Sequence, residues 1–241
     1  MSAPTLLAVA HGTRDEEGVR TVRALLDEVR RTRPGLRVEL AWLSLVEPSV
    51  PQALASLPGP AVAVPLLLAR GYHVHADLPA LLADVSPGTV RVAPALGPSP
   101  LLADALAARL AEAGRPADGG PVVLAAAGSS DPRARADTAE SARLLSARLH
   151  APVAVAFASG EGPSPAEAVA DLRAAGHADV ALAAHLLAPG HFARTLTGTD
   201  ARWTTAPLGT HPSVTELVLR RYDEGARAGR PVEARGPVLA R

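Results

Sequence analysis

The sequence predicts an α/β protein of two similar domains, each a four-stranded parallel sheet flanked by helices, with a cleft between them. Two observations carry this prediction. Short apolar runs of strand character alternate with longer segments of helical spacing, which is typical of a parallel sheet covered by helices on both faces. The second half of the chain also repeats motifs of the first half, and a Gly- and Pro-rich segment separates the halves.

The first half alternates strand and helix. Its first helix is predicted at 16–33, where Val22, Leu25 and Val29 recur on one face. Ser49 precedes a short helix with Pro51 in its first turn, and Gly114 ends a longer helix. The remaining predicted elements are strands at 5–10, 37–44, 61–67 and 89–93 and helices at 79–84 and 100–113.

The break between the halves is GRPADGGP at 114–121, which we interpret as an interdomain linker. The segments after it match those before it at nearly constant offsets. The predicted domains are therefore 1–115 and 120–228, followed by a flexible tail at 229–241. The matched pairs are LLAVAHGTRD at 6–15 with VVLAAAGSSD at 122–131, LLLARGYH at 66–73 with HLLAPGHF at 185–192, and APALGPSP at 93–100 with TAPLGTHP at 205–212.

Composition excludes several classes of function. Of the 241 residues 48% are hydrophobic and 20% charged, which predicts a globular protein, and no apolar run approaches the roughly 20 residues of a membrane helix. Basic and acidic residues both number 24, so no nucleic-acid partner is expected. The absence of cysteine excludes thiolate chemistry, and the absence of lysine excludes Schiff bases. The first residues show no signal peptide, so we expect a cytoplasmic protein.

Candidate functional residues follow the first three strands. His11 comes directly after the first strand, Glu47 ends the second, and His73 follows the third. Because the carboxyl ends of parallel strands meet at one edge of the sheet, these side chains are expected to lie together. Two imidazoles and one carboxylate suit a divalent transition-metal ion with positions left open for a substrate atom.

Three segments carry a resemblance to a known family. AHGTRD near the amino terminus, VEPSVPQAL after the second strand and VPLLLARGYHVHADLP after the third are similar to the sirohydrochlorin chelatases, the class II tetrapyrrole chelatases, in their two-domain single-chain form. Thr13 stands where this family usually has Ser, which keeps the hydroxyl group. The resemblance implies insertion of Fe²⁺ or Co²⁺ into sirohydrochlorin, in sirohaem or cobalamin biosynthesis. The metal is then a substrate, and no organic cofactor is expected.

The resemblance also implies residue roles. His11 and His73 would ligate the metal and accept the pyrrole protons, since a neutral imidazole does both reversibly near pH 7. Glu47 would be the third ligand. Substrate binding is assigned to Arg14 and Arg70, which suit the carboxylates of the macrocycle. Tyr72 and His75, which lie near Arg70 in the sequence, are also predicted to bind the substrate.

The second half is expected to lack the catalytic histidines. The repeat places Ala127 at the position of His11 and Phe192 at that of His73, while Glu161 is the expected match of Glu47. His185 and His191 flank the repeated motif and are predicted to line the macrocycle pocket. One catalytic centre per chain follows, and a monomer is expected because the two domains already face each other.

Two alternative functions share parts of this pattern. His-Gly-Thr-Arg is similar to the R-H-G-x-T signature of the histidine phosphatases, but Ala10 stands where their phosphate-clamping arginine would be. A non-catalytic tetrapyrrole- or metal-binding protein on the same scaffold would use the same ligands, so the sequence leaves that alternative open.

Overall fold

The computed structural model describes residues 3–72, 76–82, 89–196 and 198–227, and the predicted tail lies outside them. Within those residues, no helix combines the length and the hydropathy that crossing a bilayer requires. The strands are β1 Thr5–Ala10, β2 Val38–Trp42, β3 Ala61–Pro65, β4 Val90–Val92, β5 Val122–Ala126, β6 Val153–Phe157, β7 Ala181–His185 and β8 Trp203–Thr204. The helices are α1 Glu16–Thr32, α2 Val50–Ala55, α3 Leu78–Leu81, α4 Pro100–Glu112, α5 Pro132–Leu149, α6 Pro165–Ala174, α7 His191–Thr195 and α8 Pro212–Arg227.

The predicted pair of four-stranded parallel sheets is confirmed. The first sheet has the order β2-β1-β3-β4 and the second the order β6-β5-β7-β8, and all strand pairs are parallel. In the first sheet, Ala10 at the end of β1 pairs with Trp42 of β2, and Val9 pairs with Pro65 of β3. The loops that follow these three strands therefore leave the same edge of the sheet side by side.

The predicted helix starts have a local cause. The Asp15 carboxylate caps α1 by accepting hydrogen bonds from the Glu17 and Gly18 N–H groups, which have no partner within the helix. Ser49 caps α2 in a capping box with Gln52, and Ser164 caps α6 in the same way with Glu167. The buried side chains of α1 recur on one face, as the sequence predicted.

The two halves exchange their last helices. Helix α4, from the first half, packs against α5 and β7, while α8, from the second half, packs against β3, β4 and α1. Arg91 of β4 donates to the Ala226 carbonyl of α8 at 2.7 Å, and Arg109 of α4 donates to the Leu208 carbonyl at 2.9 Å. One apolar core consequently contains residues of both sheets, such as Leu6 and Leu124. The ranges 1–115 and 120–228 thus describe the repeat in the sequence, whereas the packing crosses them.

The linker is stabilised by hydrogen bonds within itself. Arg115 is buried, and its guanidinium donates to the carbonyls of Pro116, Gly119 and Gly120 at 2.7–3.2 Å. Burial of this charge lowers the pKa of Arg115 below its usual value. The segment that joins α4 to β5 is therefore held in a compact turn.

Candidate functional site

A cavity of about 920 Å³ is lined by residues of both halves. On the first half the lining comes from the loops after β1, β2 and β3, with His11, Leu45 and Gly71 among its members. On the second half it comes from the corresponding loops after β5 and β7. The carboxyl ends of both sheets thus contribute to one space, the usual place for a ligand in parallel α/β proteins.

The backbone of His11 is held by the loop after β2. The Ser44 N–H and the Ser44 hydroxyl both donate to the His11 carbonyl at 3.1 Å. This approach requires Gly12, whose φ is 103° and where a Cβ would lie 1.9 Å from the Ser44 carbonyl oxygen. His11 itself is exposed and lines the cavity, as does Arg14.

The other two predicted metal ligands, Glu47 and His73, are not among the described residues that line the cavity. His73 and His75 lie outside the described residues. Glu47 is exposed, and it does not belong to the residues that line the cavity. Among the residues that the structure describes, no three His, Asp or Glu side chains cluster as a metal site would require. The ligand set of His11, Glu47 and His73 therefore stays a prediction.

The second half repeats the backbone of the site without its imidazole. Gly128 has a φ of 102°, and a Cβ there would lie 1.9 Å from the Ser159 carbonyl oxygen. The Ser159 hydroxyl donates to the Ala127 carbonyl at 2.8 Å, just as that of Ser44 donates to His11. Ala127 thus occupies the place of His11, as the repeat predicted.

The expected match of Glu161 with Glu47 is wrong by one residue. The Trp42 N–H donates to the Pro48 carbonyl at 3.0 Å, and the Phe157 N–H donates to the Pro163 carbonyl at 2.9 Å. By this register, Gly162 is the second-half residue that corresponds to Glu47. Glu161 is instead ion-paired with Arg135. The expected match paired the two glutamates because they are the same residue type, but they are one position out of register.

Both predicted second-half histidines line the cavity. His185, at the end of β7, is 3% exposed, and its Nε2 has no hydrogen-bond partner among the described residues. Burial lowers the pKa of His185 to about 4, so the side chain is neutral at pH 7. His191 is exposed at the start of α7 and contacts the Phe192 ring edge-on, with 5.4 Å between ring centroids.

Two ion pairs join the halves beside the cavity. The Arg70 guanidinium donates to Asp137 of α5 at 2.7–3.2 Å, and the Arg70 N–H donates to the same carboxylate at 2.7 Å. On the second half, Arg194 of α7 pairs with Asp15, the residue that caps α1. These hydrogen bonds raise the pKa of Arg70 and lower that of Asp15.

Arg70 therefore has a protein partner, and its predicted binding of substrate carboxylates stays a prediction. Tyr72, two residues further along the chain, is exposed. Sequence reasoning missed Asp137 and Arg194, since nothing local distinguishes them from solvated helix charges.

A family model described as CbiX matches residues 5–113 and 121–225. The chain belongs to the CbiX family. The matched stretches cover both halves of the repeat, so the family resemblance found in the sequence is confirmed. A search of the curated proteins finds no match.

Solved structures show the same fold for this CbiX-family chain. SirB from Bacillus subtilis with Fe³⁺ is 24% identical, with 93% of this chain and 96% of that chain covered and a TM-score of 0.79. The sirohydrochlorin chelatase SirB from Bacillus subtilis subspecies spizizenii, in complex with cobalt, is 21% identical over 93% and 95%, with a TM-score of 0.74. CbiX, the terminal enzyme for biosynthesis of siroheme in denitrifying bacteria, is 23% identical over 91% and 98%, with a TM-score of 0.69.

Proposed function

We propose that this protein is a sirohydrochlorin chelatase that inserts Fe²⁺ or Co²⁺ into the macrocycle in sirohaem or cobalamin biosynthesis. The observation that carries the proposal is the family match over both halves together with a cavity that has His11 on its wall. The volume of about 920 Å³ falls within the range of small-molecule sites and leaves room for a large planar ligand.

Insertion replaces two pyrrole N–H bonds by bonds to the metal and releases two protons. In our proposal His11 and His73 hold the incoming ion and accept these protons in turn, because neutral imidazole has a suitable basicity at pH 7. Glu47 is proposed as the third ligand. The neutral His185 on the opposite wall adds no charge that would repel a divalent cation.

The carboxylates of the macrocycle need cationic or hydrogen-bonding partners at the rim. Arg14 lines the cavity and is exposed, so its guanidinium is accessible to such a carboxylate. His191 offers a second polar group on the opposite wall. We propose these two residues, with Arg70, Tyr72, His75 and His185, as the substrate-binding set.

The direct test is a metal-insertion assay with free sirohydrochlorin, followed by the change in visible absorption. His11→Ala and His73→Ala should each slow insertion about 100-fold or more, the size typical of acid–base groups. His177→Ala is the matched control, because His177 is exposed beyond the end of α6 and should be replaceable. Unchanged insertion in either of the first two variants would contradict the assigned roles.

Further measurements separate the finer parts of the proposal. Cobalt titration should saturate at one ion per chain, and Glu47→Gln should weaken cobalt binding while Glu161→Gln leaves it unchanged. Comparing initial rates with Fe²⁺ and Co²⁺ identifies the preferred ion, which these ligand types do not select. A protein that binds sirohydrochlorin but inserts neither ion would instead be a tetrapyrrole-binding protein on the same scaffold.

A further inference from the structure

Leu45 has a backbone conformation that leucine rarely adopts. Its φ is 66°, and the Val46 N–H donates to the Ser44 carbonyl at 2.8 Å across it, which closes a three-residue turn. For a bulky residue a positive φ is a true outlier, because the side chain crowds the backbone. Such strain persists where the surroundings hold it, and it is concentrated at functional positions.

The second half supplies an internal comparison. Ser159 occupies the place of Ser44, so the residue after it, Gly160, occupies the place of Leu45. Gly160 has a φ of 86°. Both turns therefore need a positive φ, and the second half meets this need with glycine, which adopts it without strain. The first half keeps a leucine at the same point of the turn.

Packing within the protein does not account for that leucine. Leu45 is 62% exposed and lies on the wall of the cavity. Among the described residues, Leu45 and Tyr72 are the large apolar side chains left exposed. They follow β2 and β3, the two neighbours of β1, so they stand on either side of the strand that precedes His11. The positions matching them in the second half hold Gly160 and His191.

We propose that Leu45 is a substrate-contact residue whose side chain packs against the apolar face of the planar tetrapyrrole. This inference rests on the proposed chelatase function. Ser44, the residue before Leu45, is bonded twice to the His11 carbonyl, so the turn fixes Leu45 relative to His11. The contact would keep the ring against the first-half wall, while the rim carboxylates reach toward Arg14.

Four variants test this assignment: Leu45→Gly, Leu45→Ala, Leu45→Met and Gly160→Ala. The first readout is the affinity for metal-free sirohydrochlorin, measured by absorption titration of the metal-free protein. Loss of the leucine contact should weaken binding about tenfold in Leu45→Gly and Leu45→Ala. Leu45→Met keeps an apolar side chain of similar volume and should restore most of the affinity.

The second readout is the Tm, which reports backbone strain. Leu45→Gly should raise the Tm by about 2 °C or more, because glycine relieves the strain at positive φ. Leu45→Ala keeps a Cβ and should not raise it. Gly160→Ala introduces the same strain in the second half, so it should lower the Tm and leave sirohydrochlorin affinity unchanged. Cobalt affinity should be the same in all four variants.

The outcomes separate this inference from the proposed function. Wild-type protein that binds no sirohydrochlorin would refute the proposed function and the inference with it. Wild-type protein that binds and inserts metal, with Leu45→Gly and Leu45→Ala binding equally well, would overturn the inference alone. If Leu45→Met binds as weakly as Leu45→Ala, the loss of affinity comes from the turn and not from the side-chain contact. That result would also overturn the inference.

Discussion

His185 places an ionisable group inside the wall of the cavity. The imidazole is buried, and its Nε2 has no partner in the described part of the chain. The first half carries the apolar Leu66 at the matching position, which is also buried. A polar side chain thus stands where the other half has an apolar one, at a place where burial strongly disfavours its charged form.

This burial makes stability depend on pH. The pKa of His185 is about 4 in the folded protein, against an ordinary value of 6.5. Between these two values the unfolded chain binds the additional proton, so stability falls as the pH falls through that window. His185→Leu should therefore reduce the loss of unfolding free energy between pH 7 and pH 4.5 by about 2 kcal/mol. Urea denaturation at the two pH values measures this difference.

The difference between wild type and variant isolates His185, because all other titrating groups are common to both proteins. The matched control is His177→Leu, which makes the same substitution at an exposed histidine. Equal losses of stability in wild type and His185→Leu would show that His185 is not buried in its neutral form.

Among single residues, the sequence was most informative where a strand end and a turn coincide. His11 and Gly12 were predictable because a His-Gly pair directly after a strand lies at the ligand-binding edge. The strained turn at Leu45 was not, since nothing in LSLVEP signals a positive φ. The pairing of Arg70 with Asp137 was also hidden, because two charges far apart in sequence give no local pattern.

At the scale of elements, helix α8 approaches β3 closely. A Cβ at Gly225 would lie 2.6 Å from the Val62 Cγ1 atom and 3.2 Å from the Ala93 Cβ atom. Val62 is fully buried in the sheet, so its side chain cannot turn into solvent. The helix can therefore lie this near to the sheet only with glycine at this position.

Gly225→Ala should destabilise the protein by about 1–2 kcal/mol. The overpacking of a tight contact outweighs the better helix propensity of alanine. Thermal and urea denaturation measure the change. Gly59→Ala is a suitable control, because among the described residues no atom beyond its two chain neighbours would lie within 4 Å of the new Cβ. A variant at Gly225 as stable as wild type would mean that α8 lies farther from the sheet.

The elements themselves were largely predictable. The first helix was expected at 16–33 and runs over Glu16–Thr32, and the first strand has the predicted bounds. The second strand is shorter than expected, because its last predicted residues leave the ladder to form the turn around Leu45. Periodicity identifies an apolar face, but it does not identify the sheet on which that face packs. The helix exchange was missed for this reason.

At the scale of the whole molecule, the exchange makes each half depend on the other. Residues 1–115 alone would lack α8 over β3 and β4, and residues 120–228 alone would lack α4 beside β7. Each separated half should therefore expose apolar sheet surface and fail to unfold cooperatively as a monomer. Mixing the two halves should restore a cooperative thermal transition.

Circular dichroism melts and sedimentation of the halves, alone and mixed, test this expectation against the full chain. A separated half that remains monomeric and shows a sharp transition near that of the full chain would contradict it. In that case the last helix of each half must also pack stably on its own sheet.

The helix exchange has a consequence for how the two walls of the cavity can differ. Two identical chains that traded their last helices would form a twofold-symmetric pair, in which every residue on one wall recurs on the other. One chain with two unequal copies is free of that symmetry. Its first half has His11, Leu45 and Leu66 where the second half has Ala127, Gly160 and His185. Duplication within a single chain thus lets each copy keep the shared architecture while its wall evolves separately.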